Sequence, residues 1–403
     1  MGALEKSVRL HYMDSMRSVL MMLGVVLHAA NVYSVSVHWE ISDPESHPFF
    51  DAVSGLIHVF RMPAFFIVAG FFAQMTLERY GSRTFLSNRG QRLLVPMITT
   101  FVLLNTVQVF ILHSAGIVTL ADLQHFVVDV LYGEAVEGHL IQHLWFLSVL
   151  MQLSIFCVPA GIVLRRLHHT QGVPASTSHS RQLHLCAVIL GPMFTVGLTG
   201  LSHFFPVLYS GPFVFGTFTP ALTLMYLPYF AYGMWLFLNQ RALSEFSRFG
   251  PMSLWALAML LALRAVRLRS SDSAMDDVLD AYLMGMTQWF GCHVCFSLFR
   301  KFADFPSAAF RYLADASYTV YLFHHLVIVV IAQQLTFWHT SAAVKFCLVT
   351  TAALVATLVL HELAIKRSPV LGFLFNGRPF GTISGLTTRR DAVTVPVPVK
   401  TGT

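Results

Sequence analysis

Long apolar runs recur along this 403-residue chain from end to end, with short polar stretches between them. A hydrocarbon core about 30 Å thick is crossed by a helix of about 20 mostly apolar residues. Backbone inside lipid must satisfy its own hydrogen bonds, so these runs are expected as helices. Ten of them fit, at 17–37, 49–77, 93–113, 143–164, 184–203, 212–238, 251–268, 278–299, 317–336 and 342–363. The pattern predicts an all-α, polytopic membrane protein with one transmembrane domain over 1–380 and a flexible cytoplasmic tail over 381–403. Residues 165–183, rich in Ser, Thr, Pro and His, are also expected to be flexible. The junction around 204–216 is interrupted by Pro, Gly and Phe, and no internal repeat is evident.

The polar stretches fix an expected orientation. Lys6, Arg9 and Arg17 precede or open the first span, and the next connection, "HWEISDPESH", has no Lys or Arg. "ERYGSRTFLSNRGQR" is basic, the connection bearing Asp122, Asp129, Glu134 and Glu137 is acidic, and "RRLHHTQGVPASTSHSRQ" is basic again. This alternation predicts an even number of spans with both termini in the cytoplasm. Composition agrees with a lipid solvent: 55% of residues are hydrophobic and 11% charged. The net charge of +6 is then topogenic and calls for no nucleic-acid partner. The five cysteines lie mostly in apolar runs, as reduced core thiols would. "CHVC" at 292–295 lacks a second pair and does not have the order of a haem attachment motif.

Ionisable side chains inside spans are expensive and usually mark a cavity or a partner. Arg17 and His28 are eleven residues apart, so they fall within about 20° of each other and about 16 Å apart along a helix. Asp51 and His58 share a face of the second span, and Arg61 follows one turn later. Pro63 next to it is expected to kink the helix or free a carbonyl, and Gly70 to permit close helix approach. Arg89 and Arg92 sit side by side at the start of the next span, where they could bind phosphate or simply set topology. His143 and Trp145 fall at a membrane boundary, where a Trp is an ordinary interface anchor and a His could be solvated. Ser317, Tyr321 and His324 face one way, with His325 about 100° round the helix. Glu362 and Lys366 are spaced for an ion pair.

Taken in order, these residues resemble a known family. Arg17 and His28, with ten residues between them, resemble the signature of acyltransferase family 3 membrane proteins. "RMPAFFIVAGFF" resembles the FFxxSGF stretch of its second helix, with Ala69 where Ser is usual. "NRGQR" matches its Arg-x-x-Arg pair and "SYTVYLFHH" its late SYxxYLxH motif. "MDSMR", "IHVFRMPAFF", "HLWFL", the His pair and "LGFLFNGRP" point to a branch that adds succinyl groups to osmoregulated periplasmic glucans. The resemblance runs from about Tyr12 to Pro379.

What it implies is acyl transfer across a bacterial inner membrane, from a cytoplasmic acyl-coenzyme A to an extracytoplasmic hydroxyl. Acyl-coenzyme A would be a co-substrate, succinyl-coenzyme A in the glucan branch, with no permanently bound cofactor and no metal. His28 would be the general base, since imidazole titrates near neutrality. Arg17 lies below it, where donor charge would enter, and Arg89 and Arg92 would hold coenzyme A phosphates. Arg61 or His58 would hold a succinyl carboxylate or an oxyanion. His324 would position the acceptor or move a proton. Asp51, His143, Trp145, Tyr321 and His325 complete the expected substrate lining. Ala69 suggests that a hydroxyl at that position is dispensable. Two alternatives remain open at this point: a transporter of an acyl donor or glycan with a path lined by His and Arg, and a metal or haem protein ligated by His28, His58 and His324.

Overall fold

The computed structural model describes residues 7–119, 142–170, 191–201, 205, 220–267, 274–379 and 394–396. The protein is an all-helical, multi-pass membrane protein, apart from one short ladder. That ladder pairs β1 (Ser7–Arg9) antiparallel with β2 (Thr394–Pro396), so these two segments lie together on what we term the near face. The rest of the expected tail lies outside the described residues.

Six stretches among the described residues are long and apolar enough to cross a membrane. They are His11–Val32, Pro48–Ser114, Gln142–Arg166, Pro220–Leu238, Ala308–Leu335 and Ala342–Ile365. Gln240–Phe246 and Pro251–Val266, bent by 65°, add a seventh if they form one span. Pro48–Ser114 is 67 residues, about 100 Å as a straight helix and three times the hydrocarbon core. It therefore holds the second and third expected spans. The first half is α2 (Pro48–Arg89), and the second contains α3 (Val95–Thr100) and α4 (Thr106–Ser114), with π-helical turns at 90–94 and 101–105. The break is not at Pro63, where helical backbone continues, but at Gly81, with φ 75° and ψ 168°. A side chain would strain that left-handed φ.

The chain reverses there. Asp51 meets Ser34–Ser36 at the far end of α1 (His11–Val32), whereas Arg92 meets Tyr318 and Gln108 meets His325, successively further along one helix. The remaining helices are α5 (Trp145–Thr170), α6 (191–201), α7 (Pro220–Leu238), α8 (Gln240–Phe246), α9 (Pro251–Arg267), α10 (Ala274–Phe302), α11 (Ala308–Leu335), α12 (Ala342–Leu360) and α13 (Pro369–Asn376). The eighth expected span is α10, which starts with Asp276 and Asp277. The fifth and sixth are described only from residues 191 and 220. Helix α5 continues through Thr170, so residues 165–170 are helical rather than flexible, and the rest of that stretch lies outside the described residues.

Close helix approach holds α2 against α7. A Cβ at Gly70 would overlap the Phe230 carbonyl, and one at Gly233 would overlap the Ile67 carbonyl. Reciprocal glycines of this kind let backbones touch where lipid offers no hydrophobic drive for helix pairing. Helices α1 and α11 run parallel. The Tyr12 N–H donates to Asp304 on the near side at 3.2 Å, and further along Val25, Ala29 and Val32 share a core with Val320, Ile328 and Ala332. This pairing brings His28 level with His324. Cys157, Cys292 and Cys295 are buried free thiols, as expected, while Cys347 is exposed.

Candidate active site

His28 lies one turn before the far end of α1, but it is not near the far end of the bundle. Level with it, α11 continues eleven residues beyond His324, about 16 Å. Helix α1 thus stops short of the end of α11 on the far side. Around it gather three more imidazoles. Ring centroids lie 5.2 Å from His28 to His324, 5.2 Å from His28 to His325, and 4.9 Å from His143 to His325. His324 and His325 diverge by about 100°, as the helix requires, yet both rings flank His28, which sits in the angle between them.

Beside this cluster a pocket of about 330 Å³, counted out to its mouth, is lined by His28, Arg61, His143, Trp145, Tyr321 and neighbouring Met and Phe side chains. Arg61 is 6% exposed. Its Nε donates to the Leu20 carbonyl at 2.8 Å, and the hydroxyls of Tyr226 and Tyr321 lie within electrostatic reach. No carboxylate among the described residues forms an ion pair with it. Gly24 makes the room: a Cβ there would overlap the guanidinium. A buried cation with no counter-charge is costly, so the pocket is built to receive an anion or a developing negative charge.

The histidines differ in their hydrogen bonds. His324 Nδ1 faces the carbonyls of Tyr321 at 2.7 Å and Val320 at 3.0 Å. A carbonyl can only accept, so Nδ1 carries the proton and neutral His324 has its lone pair on Nε2. That Nε2 is buried without a hydrogen-bond partner, as is His28 Nδ1. His325 Nδ1 pairs with Gln108 Oε1 at 2.9 Å, and the Tyr321 hydroxyl donates to the His143 carbonyl at 2.5 Å.

His143 and Trp145, read both as boundary residues and as substrate lining, are placed in the pocket rather than at a solvated boundary. His143 is buried, and Trp145 lines the pocket while stacking on Tyr226 at 5.6 Å. They are carried in by a 3-10 turn, Gln142–Leu144, in which Gln142 takes a φ of 46°. Among the described residues it is the one non-glycine with positive φ, a strain typical of functional sites.

Other expected site residues lie elsewhere. Asp51 closes the connection between α1 and α2, accepting hydrogen bonds from Ser34 Oγ, Val35 N at 3.1 Å and Ser36 N at 2.9 Å. His58 is exposed and does not line the pocket. Arg17, Arg89 and Arg92 form a separate group on the near side. Arg89 lies within electrostatic reach of both others, Arg17 sits over Phe72 at 5.6 Å, and Arg92 is exposed. Among the described residues, no three His, Cys, Asp or Glu side chains are grouped to hold a metal ion.

Trp39 was not anticipated. Its indole stacks on His28, with centroids 5.7 Å and planes 29° apart, and meets His325 edge-on at 4.8 Å. A lone loop Trp has no periodicity to betray it. The faint signal is a large aromatic in a connection without Lys or Arg.

A cation and an imidazole share one buried pocket of a polytopic membrane protein, with arginines on its near side. An acyltransferase domain family matches residues 10–362, and the chain belongs to that family. It is 29% identical over 379 residues to glucans biosynthesis protein C of Escherichia coli strain K12, covering 92% of this chain and 95% of that protein. The same coverage and identity hold for the proteins of that name from Escherichia coli O139:H28 and O157:H7. No solved structure matches the chain.

Proposed function

We propose that the protein moves a succinyl group from cytoplasmic succinyl-coenzyme A to hydroxyls of osmoregulated periplasmic glucans, in the inner membrane of a bacterium. One observation carries the reading: His28 shares a buried pocket with Arg61, a cation without a carboxylate partner among the described residues. A base and an anion receptor side by side are what a dicarboxylic acyl donor needs. The similarity to glucans biosynthesis protein C supports the glucan as acceptor.

In this reading the near face binds the donor. Arg17, Arg89 and Arg92 hold the phosphates of coenzyme A, and the pocket, too small for the coenzyme, takes the acyl group. Arg61 receives the free carboxylate. The acceptor hydroxyl comes from the far side. As its oxygen attacks the thioester carbonyl, His28 takes the proton; the tetrahedral intermediate then collapses, the C–S bond breaks, and the proton passes to the leaving thiolate. His324 contributes Nε2 as a second proton acceptor beside His28. The Tyr321 ring and Trp145 shape the pocket wall.

The test compares periplasmic glucans from matched cells with and without the gene, by mass and anion exchange. Acidic increments of succinyl mass that depend on the gene are expected. Unmodified glucans in both, with the protein verified in the membrane, would overturn the acceptor. Ester formation by purified protein from succinyl-coenzyme A and neutral glucan separates transfer from transport.

A further inference from the structure

One side of His28 lines the pocket with Arg61. On another side its ring stacks against Trp39, which lies in the connection 33–47 between α1 and α2 and is half-buried. Because α1 stops about 10 Å short of the end of α11, this connection reaches into the recess above His28 with Trp39, Ile41 and Asp43, while most of its other residues are exposed. Ile41 and Tyr33 are buried there in a core with Leu335 and Ala342.

The connection is fastened at its ends. The backbone N–H of Asp43 donates to Val32 and that of His47 to Tyr33, both at 2.9 Å. The Asp43 carboxylate receives Lys345 Nζ of α12 on both oxygens at 3.0 Å, with the two side chains 0% and 1% exposed. At the other end Asp51 takes the Ser34 hydroxyl and the N–H groups of Val35 and Ser36. Trp39 is carried between these anchors, presenting a flat apolar face at a fixed place next to the base. Besides Asp43, whose charge Lys345 balances, the same connection bears Glu40 and Glu45 and no Lys or Arg. An anionic donor is repelled there, whereas a neutral sugar is not.

We propose that Trp39 is the acceptor-positioning residue: a sugar ring of the glucan packs its apolar face on the indole, which presents one hydroxyl to His28. This rests on the acyl-transfer reading above. Aromatic side chains with a few convergent polar groups are the usual means of orienting a small ligand, and the polar partner here is the imidazole 5.7 Å from the indole. The succinylated product, now anionic, is disfavoured by the acidic connection and leaves.

The experiment uses full-length protein purified in detergent, with Trp39→Phe and Trp39→Ala, succinyl-coenzyme A as donor and unsubstituted periplasmic glucan as acceptor. Trp39→Ala is expected to raise the KM for glucan about tenfold or more, while the KM for succinyl-coenzyme A and its glucan-independent hydrolysis stay within about twofold. Trp39→Phe, keeping a flat ring, should fall between. An unchanged KM for glucan overturns the proposal, and so does an equal loss towards both substrates, which would make Trp39 a support for His28 alone. If wild-type protein forms no ester, the transfer reading fails. Equilibrium binding of glucan without donor then decides the Trp39 assignment: binding weakened by Trp39→Ala supports it, and binding unchanged or absent in the wild type overturns it.

Discussion

Two histidine clusters lie along α11, and they are opposites. Towards its middle, His324 and His325 meet His28 and His143, and His28 Nδ1 and His324 Nε2 have no hydrogen-bond partner. Nearer its start, His361 is wholly buried, and both its ring nitrogens are engaged: Nδ1 with Thr319 Oγ at 2.8 Å and Nε2 with Asp315 at 3.3 Å. Asp315 also receives Arg378 at 2.9 Å, and Thr319 donates to Asn376 at 3.2 Å. This second cluster ties the 361–365 turn and α13 to α11. It looks like a nucleophile, base and acid in sequence, yet Thr319 is sealed at 0% exposure. Buried polar groups are ordinarily paired, so an unpaired valence next to a cavity marks a site and a completed network marks a staple.

The sharpest way to break this contrast is to exchange activity for stability. His28→Gln is expected to lower kcat by about 10²–10⁴-fold, the range for losing a positioned base, with wild-type amounts of protein in the membrane. Single-turnover transfer with purified protein checks it, and substantial turnover by the variant would remove His28 as base. Next in size is Lys345→Met. It leaves Asp43 charged and buried, which should destabilise by about 3–5 kcal/mol and lower the melting midpoint in detergent. Adding Asp43→Asn should recover part of the loss, because the cost is the orphaned charge. If the single variant melts like wild type, the connection that carries Trp39 is not anchored as described.

Arg61 extends the contrast from vacancy to selectivity. Arg61→Gln should cut the preference for succinyl- over acetyl-coenzyme A by about 10–100-fold, the worth of a hydrogen bond to a charged group. Gly24→Ala should act in the same direction and more weakly, by displacing the guanidinium from the room it now has. Competition between the two donors reads both. A preference unchanged in Arg61→Gln would return Arg61 to oxyanion stabilisation or packing.

Much of this was legible from spacing, and the rest fails for identifiable reasons. Arg17 with His28, and Tyr321 with His324, follow from helical angles alone. Helical spacing also predicts the Glu362–Lys366 pair, found at 2.9 Å, and the small size of Gly70 predicts the close approach there. Periodicity says which residues share a face but not what faces them. Asp51 and His58 were grouped on that basis, whereas Asp51 turns to the loop and His58 to the exterior. His143 and Trp145 reach the pocket through a 3-10 turn with a left-handed residue, a geometry no hydrophobic pattern encodes. Trp39 and the Asp43–Lys345 pair join positions about 300 residues apart or lie in a loop, where helical spacing has nothing to say.

The staple should respond oppositely to the site. His361→Gln is expected to destabilise by about 1–3 kcal/mol, since it leaves Thr319 and Asp315 short of a partner, while kcat in the surviving protein stays near wild type. A melting curve and a transfer assay on the same sample decide it. If kcat falls and the melt does not, the completed network takes part in the chemistry after all, and hydrogen-bond vacancy ceases to separate the two clusters.

The smallest effect calibrates the others. Lys366 and Glu362 form an ion pair with geometry as good as that of Lys345 and Asp43, 2.9 Å against 3.0 Å, but their side chains are 35% and 38% exposed rather than 1% and 0%. Distance is the same, so burial alone differs. In water-facing surroundings the attraction is screened, and an unpaired partner is rehydrated rather than stranded. Glu362→Gln should therefore shift stability by less than about 1 kcal/mol, and high salt should erase that shift while leaving the Lys345→Met deficit intact. A large, salt-resistant loss in Glu362→Gln would mean that Lys366 is held in low dielectric on the near face, where the donor is proposed to enter.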